Sequence, residues 1–358
     1  MIRIDEIYNQ IFVPAVKGLG AEHGAHWFDP PGSTAFADLC NRPRVSIPTA
    51  QRYLFWDQEP VDPDRFNRFM SQFQAAYTGH HHVITSEYRS KPVETVSAQW
   101  GLQSHYYWFH GWAALDWYRG YDRARLIRPA DQRRIEQTFV APNRIIGGAR
   151  QHRLHVLYWI FRAGLEQNNW VSCPAVCPAE MTTMADLIEP LSGTYPDIVT
   201  VFDRVALPLD MPGESGHPMT SCWLDLWSQI ETSLVYVVTE TVADGDRQHL
   251  TEKIFKPICQ QIPFVVVGTA GALAYLRGYG FRTFGDLWDE SYDNEPDMVK
   301  RIARIGALLT DLNGLSCSER QDLYEQAIPV VRHNYEHFYS GAFEHILSAE
   351  LDAMLAEF

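Results

Sequence analysis

The sequence predicts an α/β protein made of two α/β domains facing a cleft. Three observations carry this. Short apolar runs recur along the chain, rich in β-branched or aromatic residues. Helical stretches with one apolar face lie between them. Polar and charged residues follow the apolar runs directly, where a parallel strand hands the chain to a loop.

Arg52–Trp56 reads as a strand ending at the polar loop Asp57-Gln58-Glu59-Pro60. His82–Thr85 is a second strand, followed by Ser86-Glu87. Tyr106–Phe109 is a third, leading through His110-Gly111-Trp112 into a helix over Ala113–Tyr118. Thr138–Ala141 is the next, and its loop carries Asn143, Arg144, Gly147 and Gly148. A helix over Ala149–Leu165 then places Leu154, Leu157, Ile160 and Phe161 on one face. Trp223–Ile230 is helical, and Leu234–Val238 is a buried strand with Thr239-Glu240-Thr241 at its carboxyl end. Asp244-Gly245-Asp246 is a turn. Thr251–Gln261 reads as a helix with Thr251 as N-cap and Glu252 in its first turn. Pro263–Gly268 is a strand, and Gly271–Arg277 a helix stopped by Gly278 and Gly280. The chain from Glu295 onward is helical. These elements divide as residues 1–135, 136–335 and a last helical segment, 336–358; a single doubly wound domain is the rival architecture.

Composition bounds the function. Of 358 residues, 46% are hydrophobic, which excludes a disordered chain. No apolar run approaches the roughly 20 residues of a membrane span. Met1–Glu6 has no apolar core, so no signal peptide is expected and the location is cytoplasmic. A net charge of −14 argues against a general polyanion-binding surface. It leaves room for a local basic cleft, and Arg119, Arg123, Arg125, Arg128, Arg133 and Arg134 are grouped. Among six cysteines only Cys173 and Cys177 are close, and no second pair completes a zinc site. His80-His81-His82 would point to alternate faces of an extended chain, a poor metal cage.

The richest segment for chemistry is Tyr236–Gly268. Ligands of open α/β sheets bind beyond the carboxyl ends of the strands, and helix amino termini attract phosphate. Glu252 suits a ribose diol and Lys253 a diphosphate, although Thr251-Glu252 is equally an ordinary helix cap. Arg144, Arg150, His152 and Arg153 cluster after the strand at Thr138–Ala141, either facing a phosphate or forming a solvated helix face. Asp57 or Glu59 could serve as a general base for an acceptor hydroxyl, with Glu87 and Glu240 as competitors. His105 and His110 flank an aromatic stretch suited to packing or to sugar stacking. No glycine pattern of a dinucleotide or P-loop site appears.

Residues 234–268, Leu-Val-Tyr-Val-Val-Thr-Glu through Leu-Thr-Glu-Lys-Ile-Phe-Lys-Pro-Ile to Ile-Pro-Phe-Val-Val-Val-Gly, resemble the donor-binding segment of fucosyltransferase-like glycosyltransferases of the GT-B fold. Together with Leu276–Phe284, Asp289–Asp293 and the Phe55–Pro60 loop, they also resemble glycosyltransferase-like proteins, many encoded by bacteriophages. The resemblance implies two Rossmann-like domains, with segment 336–358 crossing back onto the first. It implies ribose binding by Glu252 and diphosphate binding by Lys253 and Arg153, with Arg144 and Arg150 as alternatives on the segment opened by Asn143. The donor would be a UDP- or GDP-linked sugar, with no obligatory metal or other cofactor. The acceptor would be a saccharide, or a hydroxymethylated pyrimidine of phage DNA in a host cytoplasm. A catalytically inactive protein of the same fold, binding sugar or nucleotide, is the alternative.

Overall fold

Every pair of neighbouring strands in the two larger sheets is parallel, as strands joined through helices require. The structure, a computed structural model, describes residues 24–27, 51–73, 80–118, 128–214 and 223–357. The chain forms two units. One comprises Met1–Arg119, Gly245–Glu252 and Gly341–Phe358; the other comprises Gly120–Asp244 and Lys253–Ser340.

The first unit holds β1 (Gly24–Trp27), β2 (Gln51–Trp56), α1 (Pro63–Phe73), β3 (His80–Thr85), α2 (Lys91–Trp100), β4 (Leu102–Tyr106) and α3 (Phe109–Tyr118). Its strands lie in the order β1-β2-β3-β4, the order of the chain. Trp56, Val61, Phe66, Val83, Val93 and Val96 form its core, with the Trp56 and Phe66 rings 4.7 Å apart. Helix α2 starts where the Ser90 hydroxyl accepts from Val93 N–H, and stops at Gly101, whose φ of 63° favours glycine. The last helix, Ala342–Leu355, packs on α3. Gly111 permits this, because a Cβ there would press on Leu347 and Phe343.

The sequence predicts the third strand at Tyr106–Phe109; the strand is Leu102–Tyr106, and the apolar run after it is α3. In β4 only His105 is fully buried, so the strand reads as polar. Helix α3 is buried on nearly all sides and has no amphipathic period to announce it.

The second unit contains β5 (Gln137–Ala141), α4 (His152–Arg162), β6 (Trp170–Val171) and a hairpin of β7 (Val176–Cys177) and β8 (Thr182–Thr183). Short helices α5 (Met184–Ile188), α6 (Ile198–Asp203) and α7 (Trp227–Thr232) lead to β9 (Ser233–Thr239). Then come α8 (Phe255–Cys259), β10 (Phe264–Val267), α9 (Ala272–Gly278), α10 (Met298–Asn313) and α11 (Cys317–Tyr339). The sheet order is β10-β9-β5-β6. Every residue of β9 and β10 is buried, which gives these strands their continuous apolar sequences. Helix α10 packs on α4, and α11 on α8.

The division falls after Arg119 rather than near residue 135. The reason is Arg133, whose buried guanidinium donates to the carbonyls of Arg128, Gln260 and Gln261 within the second unit. Glu136 N–H adds a bond to the Thr232 carbonyl. Among the described residues no helix is long and apolar enough to cross a membrane.

Candidate functional site

The strand order of the second unit reverses between β5 and β9. From β5 the chain moves through α4 to β6; from β9 it moves through α8 to β10, the opposite way. The loops leaving these two strands diverge, and such a reversal opens the crevice where open parallel sheets hold ligands.

Asn143 stitches the crevice together. Fully buried, it donates from Nδ2 to the Ala141 carbonyl (3.1 Å) and accepts at Oδ1 from Thr239 Oγ1 (3.2 Å). Its N–H donates to Ser172 Oγ (2.9 Å), just beyond β6. Three strand ends therefore meet on one residue. Arg153, in the first turn of α4, is also buried. Its Nη1 donates to the Ile145 carbonyl (2.9 Å), and its Nη2 to those of Thr239 (3.0 Å) and Glu240 (3.4 Å). Carbonyl oxygens of the protein thus take donors of the guanidinium that the resemblance implies for a phosphate.

His152 reads in sequence as part of a cationic cluster, but it is neutral. Burial, and then the neighbouring Arg153 charge, push its pKa down to about 3. Its Nε2–H donates to the Glu240 carbonyl (2.9 Å), since a carbonyl can only accept. Arg144 and Arg150 are half-buried on the loop between β5 and α4. On the same loop the Glu180 carboxylate, from the β7–β8 hairpin, sits against Gly147 and Gly148, where any Cβ would collide with it. It also lies 2.9 Å from Cys177 Sγ.

The end of β9 carries Glu240, whose side chain is fully buried, and Thr241. Lys253 Nζ donates to Thr241 Oγ1 (3.2 Å), which sets a half-buried ammonium at the strand's carboxyl end. Buried Arg301 braces the same region, donating to the carbonyls of Gly268 (3.0 Å), Ala243, Glu295 and Pro296. The amino terminus of α9 is closed by Asp293, which accepts from Leu273 N–H (3.1 Å) and Ala274 N–H (3.3 Å).

The remaining expected residues lie in the first unit. Glu252 is buried, with Oε2 3.2 Å from His110 Nδ1, and the His249 ring stands edge-on to His110. Thr251 is buried beside it. The predicted helix over Thr251–Gln261 is instead a 3₁₀ turn, Glu252–Ile254, followed by α8, only five residues long with Pro257 inside it. So short a helix has little macrodipole, and the cation at Lys253 carries the electrostatics of this segment.

Asp57 is buried and accepts from Tyr107 Oη (2.5 Å), whereas Glu59 is partly exposed. Glu87 is committed to structure. Its carboxylate accepts from Val61 N–H (2.6 Å), Arg247 Nη1 (3.2 Å) and the Ser90 hydroxyl, and burial pushes its pKa up. Of the arginine-rich stretch, Arg119, Arg123 and Arg125 lie outside the described residues; Arg133 is internal, and Arg128 and Arg134 are exposed.

The structure thus brings Asn143, Arg153, Glu240 and Lys253 to the ends of β5 and β9, with Arg144 on the adjoining loop. Asp57, Glu59, Thr251 and Glu252 belong to the other unit. His110, Asp293, Arg301 and Glu180 were not legible as parts of these arrangements. The Gly147-Gly148 pair was their one signal, marking a turn that something must approach closely. No protein-family model matches the chain, and no curated protein or solved structure matches it.

Proposed function

We propose that this protein is a GT-B-like glycosyltransferase that moves a sugar from a UDP- or GDP-linked donor to an acceptor hydroxyl. One observation carries the reading: Lys253 Nζ is fixed on Thr241 at the reversal of strand order in the second unit. That is where a parallel sheet receives a nucleotide, and where a cation would meet its diphosphate. The resemblance of residues 234–268 points to the same chemistry.

In this reading the bond between the anomeric carbon and the diphosphate oxygen breaks, and negative charge grows on the leaving diphosphate. Lys253 stabilises that charge, with Arg144 and Arg150 as further cations on the β5 loop. Asn143, His152 and Arg153 keep the loops in place so that little reorganisation is needed. Glu252 takes the ribose, as the resemblance implies. The acceptor proton passes to a carboxylate, Glu59 or Asp57, of which Asp57 also receives the Tyr107 hydroxyl. No obligatory metal belongs to the proposal, and the stereochemical outcome it carries is inversion. The internal bonds of Arg133 thin the basic track that a DNA acceptor would need, so a saccharide stands first and hydroxymethylated DNA second.

The other reading is a GT-B-like protein that binds sugar or nucleotide without turnover. The observation on its side is the Glu180 carboxylate filling the Gly147-Gly148 turn. A mass-spectrometric screen of nucleotide-sugars against glycans and hydroxymethylated DNA separates the two, since only an enzyme yields product. Calorimetry tests the site: Lys253→Ala should weaken donor binding about ten- to a hundredfold. Unchanged affinity would remove Lys253 from the reading.

A further inference from the structure

The second unit carries a groove of about 680 Å³, lined by the loop after Phe284 and by helices α10 and α11. Its walls include four half-buried leucines, Leu287, Leu308, Leu315 and Leu323.

Four exposed carboxylates, Asp289, Asp311, Glu319 and Asp322, also line the groove. Hydrogen bonds from Ser291 hold Asp289 below the usual carboxylate range, and bonds with Ser316 do the same for Glu319. Both stay charged in mild acid. The one cation of the lining, Arg304, already pairs with Glu295 at 2.9 Å. Trp288, also of the lining, is 7% exposed, and its indole N–H finds no acceptor among the described residues. The groove therefore combines apolar walls, a rim of four exposed carboxylates against a single arginine, and a buried donor that finds no acceptor among the described residues.

We infer that this groove docks a basic amphipathic peptide segment of a partner protein. Leucine-like side chains would cover the four leucines, lysines or arginines would meet the carboxylates, and a carbonyl of the segment could accept from Trp288. The acidic rim selects the basic partner, and the net charge of −14 adds to the attraction at long range. The inference stands apart from the proposed glycosyl transfer.

The test uses the full chain and a fluorescein-labelled peptide of leucine and lysine, with leucine at helical i, i+3, i+4 spacing. Fluorescence anisotropy should show binding that weakens with salt. The double variant Asp311→Asn, Asp322→Asn should weaken it roughly fivefold, and Leu308→Ser roughly tenfold. The control pair Asp64→Asn, Glu94→Gln should leave it unchanged, and circular dichroism reports that each variant is folded. A peptide with every lysine replaced by glutamate should not bind. Equal weakening by the control pair, or equal binding of the glutamate peptide, would overturn the inference. So would self-association abolished by Leu308→Ser, which would give the groove to a second copy of the chain.

Discussion

The two parallel sheets are close in size but differ in strand order. In the first unit the order follows the chain, β1 to β4, and each crossover steps the same way. Such a sheet has no reversal, so its strand-end loops lie alongside one another and bond among themselves. Asp57 after β2 meets Tyr107 after β4, and Glu87 after β3 ties Val61, Ser90 and Arg247. In the second unit the order reverses between β5 and β9, and the loops part. There buried arginines and a neutral histidine bond to the main-chain carbonyls at the strand ends. The two units differ in topology more than in composition.

The largest expected effect comes from acid. His152 titrates near pH 3 in the folded protein and near 6.5 when unfolded. Between those values the unfolded chain binds the extra proton. His152 therefore leaves stability intact above about pH 6.5 and lowers it as pH falls toward 3, by as much as about 4–5 kcal/mol. Glu87, with its raised pKa, acts in the opposite sense: it costs stability above its folded pKa, and that cost fades as pH falls toward 4.5. Urea unfolding at pH 7 and pH 4 should show a smaller acid loss in His152→Gln than in the wild type. An identical loss would mean that a neutral imidazole is not what holds the end of β9.

The next effect belongs to Arg153. Replacing it with Ala should cost about 2–4 kcal/mol in urea unfolding, because the Ile145 and Thr239 carbonyls lose the bonds from its guanidinium, while Glu240 keeps the one from His152. Arg153→Lys should recover only part, since one ammonium cannot span the same forked geometry. A wild-type unfolding midpoint in Arg153→Ala would return this residue to the role of a free phosphate ligand. Tyr107→Phe should have the smallest effect, a loss of about 1–2 kcal/mol. It should leave nucleotide-sugar affinity unchanged, and a fall in affinity would break the distinction between the two sheets.

Much of this architecture was legible from residue order alone. The apolar runs at β5, β9 and β10 are buried on both faces, so their boundaries read almost to the residue. Two elements misled for physical reasons. Strand β4 is mostly exposed and polar, and α3 is apolar all round. Strand β6, two residues long, gives no pattern to read. At the candidate site, residue type located the charges but not their partners. Nothing in Arg153 or Asn143 distinguishes a side chain aimed at a ligand from one bonded to its own backbone; only the register of β5 beside β9 decides that. Lys253 was legible as a cation because it follows Thr251-Glu252 shortly after the apolar run of β9. His110 beside Glu252 was not, because 142 positions separate them, the difference of their numbers.

The first unit takes in residues 341–358, which reach α3 through Glu350 on Trp108 N–H and Phe343 on the Trp108 ring. On a ribosome these residues emerge after all of Gly120–Ser340. The second sheet can thus mature while the first still waits for its closing helix. A nascent chain stalled before residue 341 would present α3 uncovered, with Trp108 and Gly111 open to chaperones. The first unit is thus completed only by the residues made last.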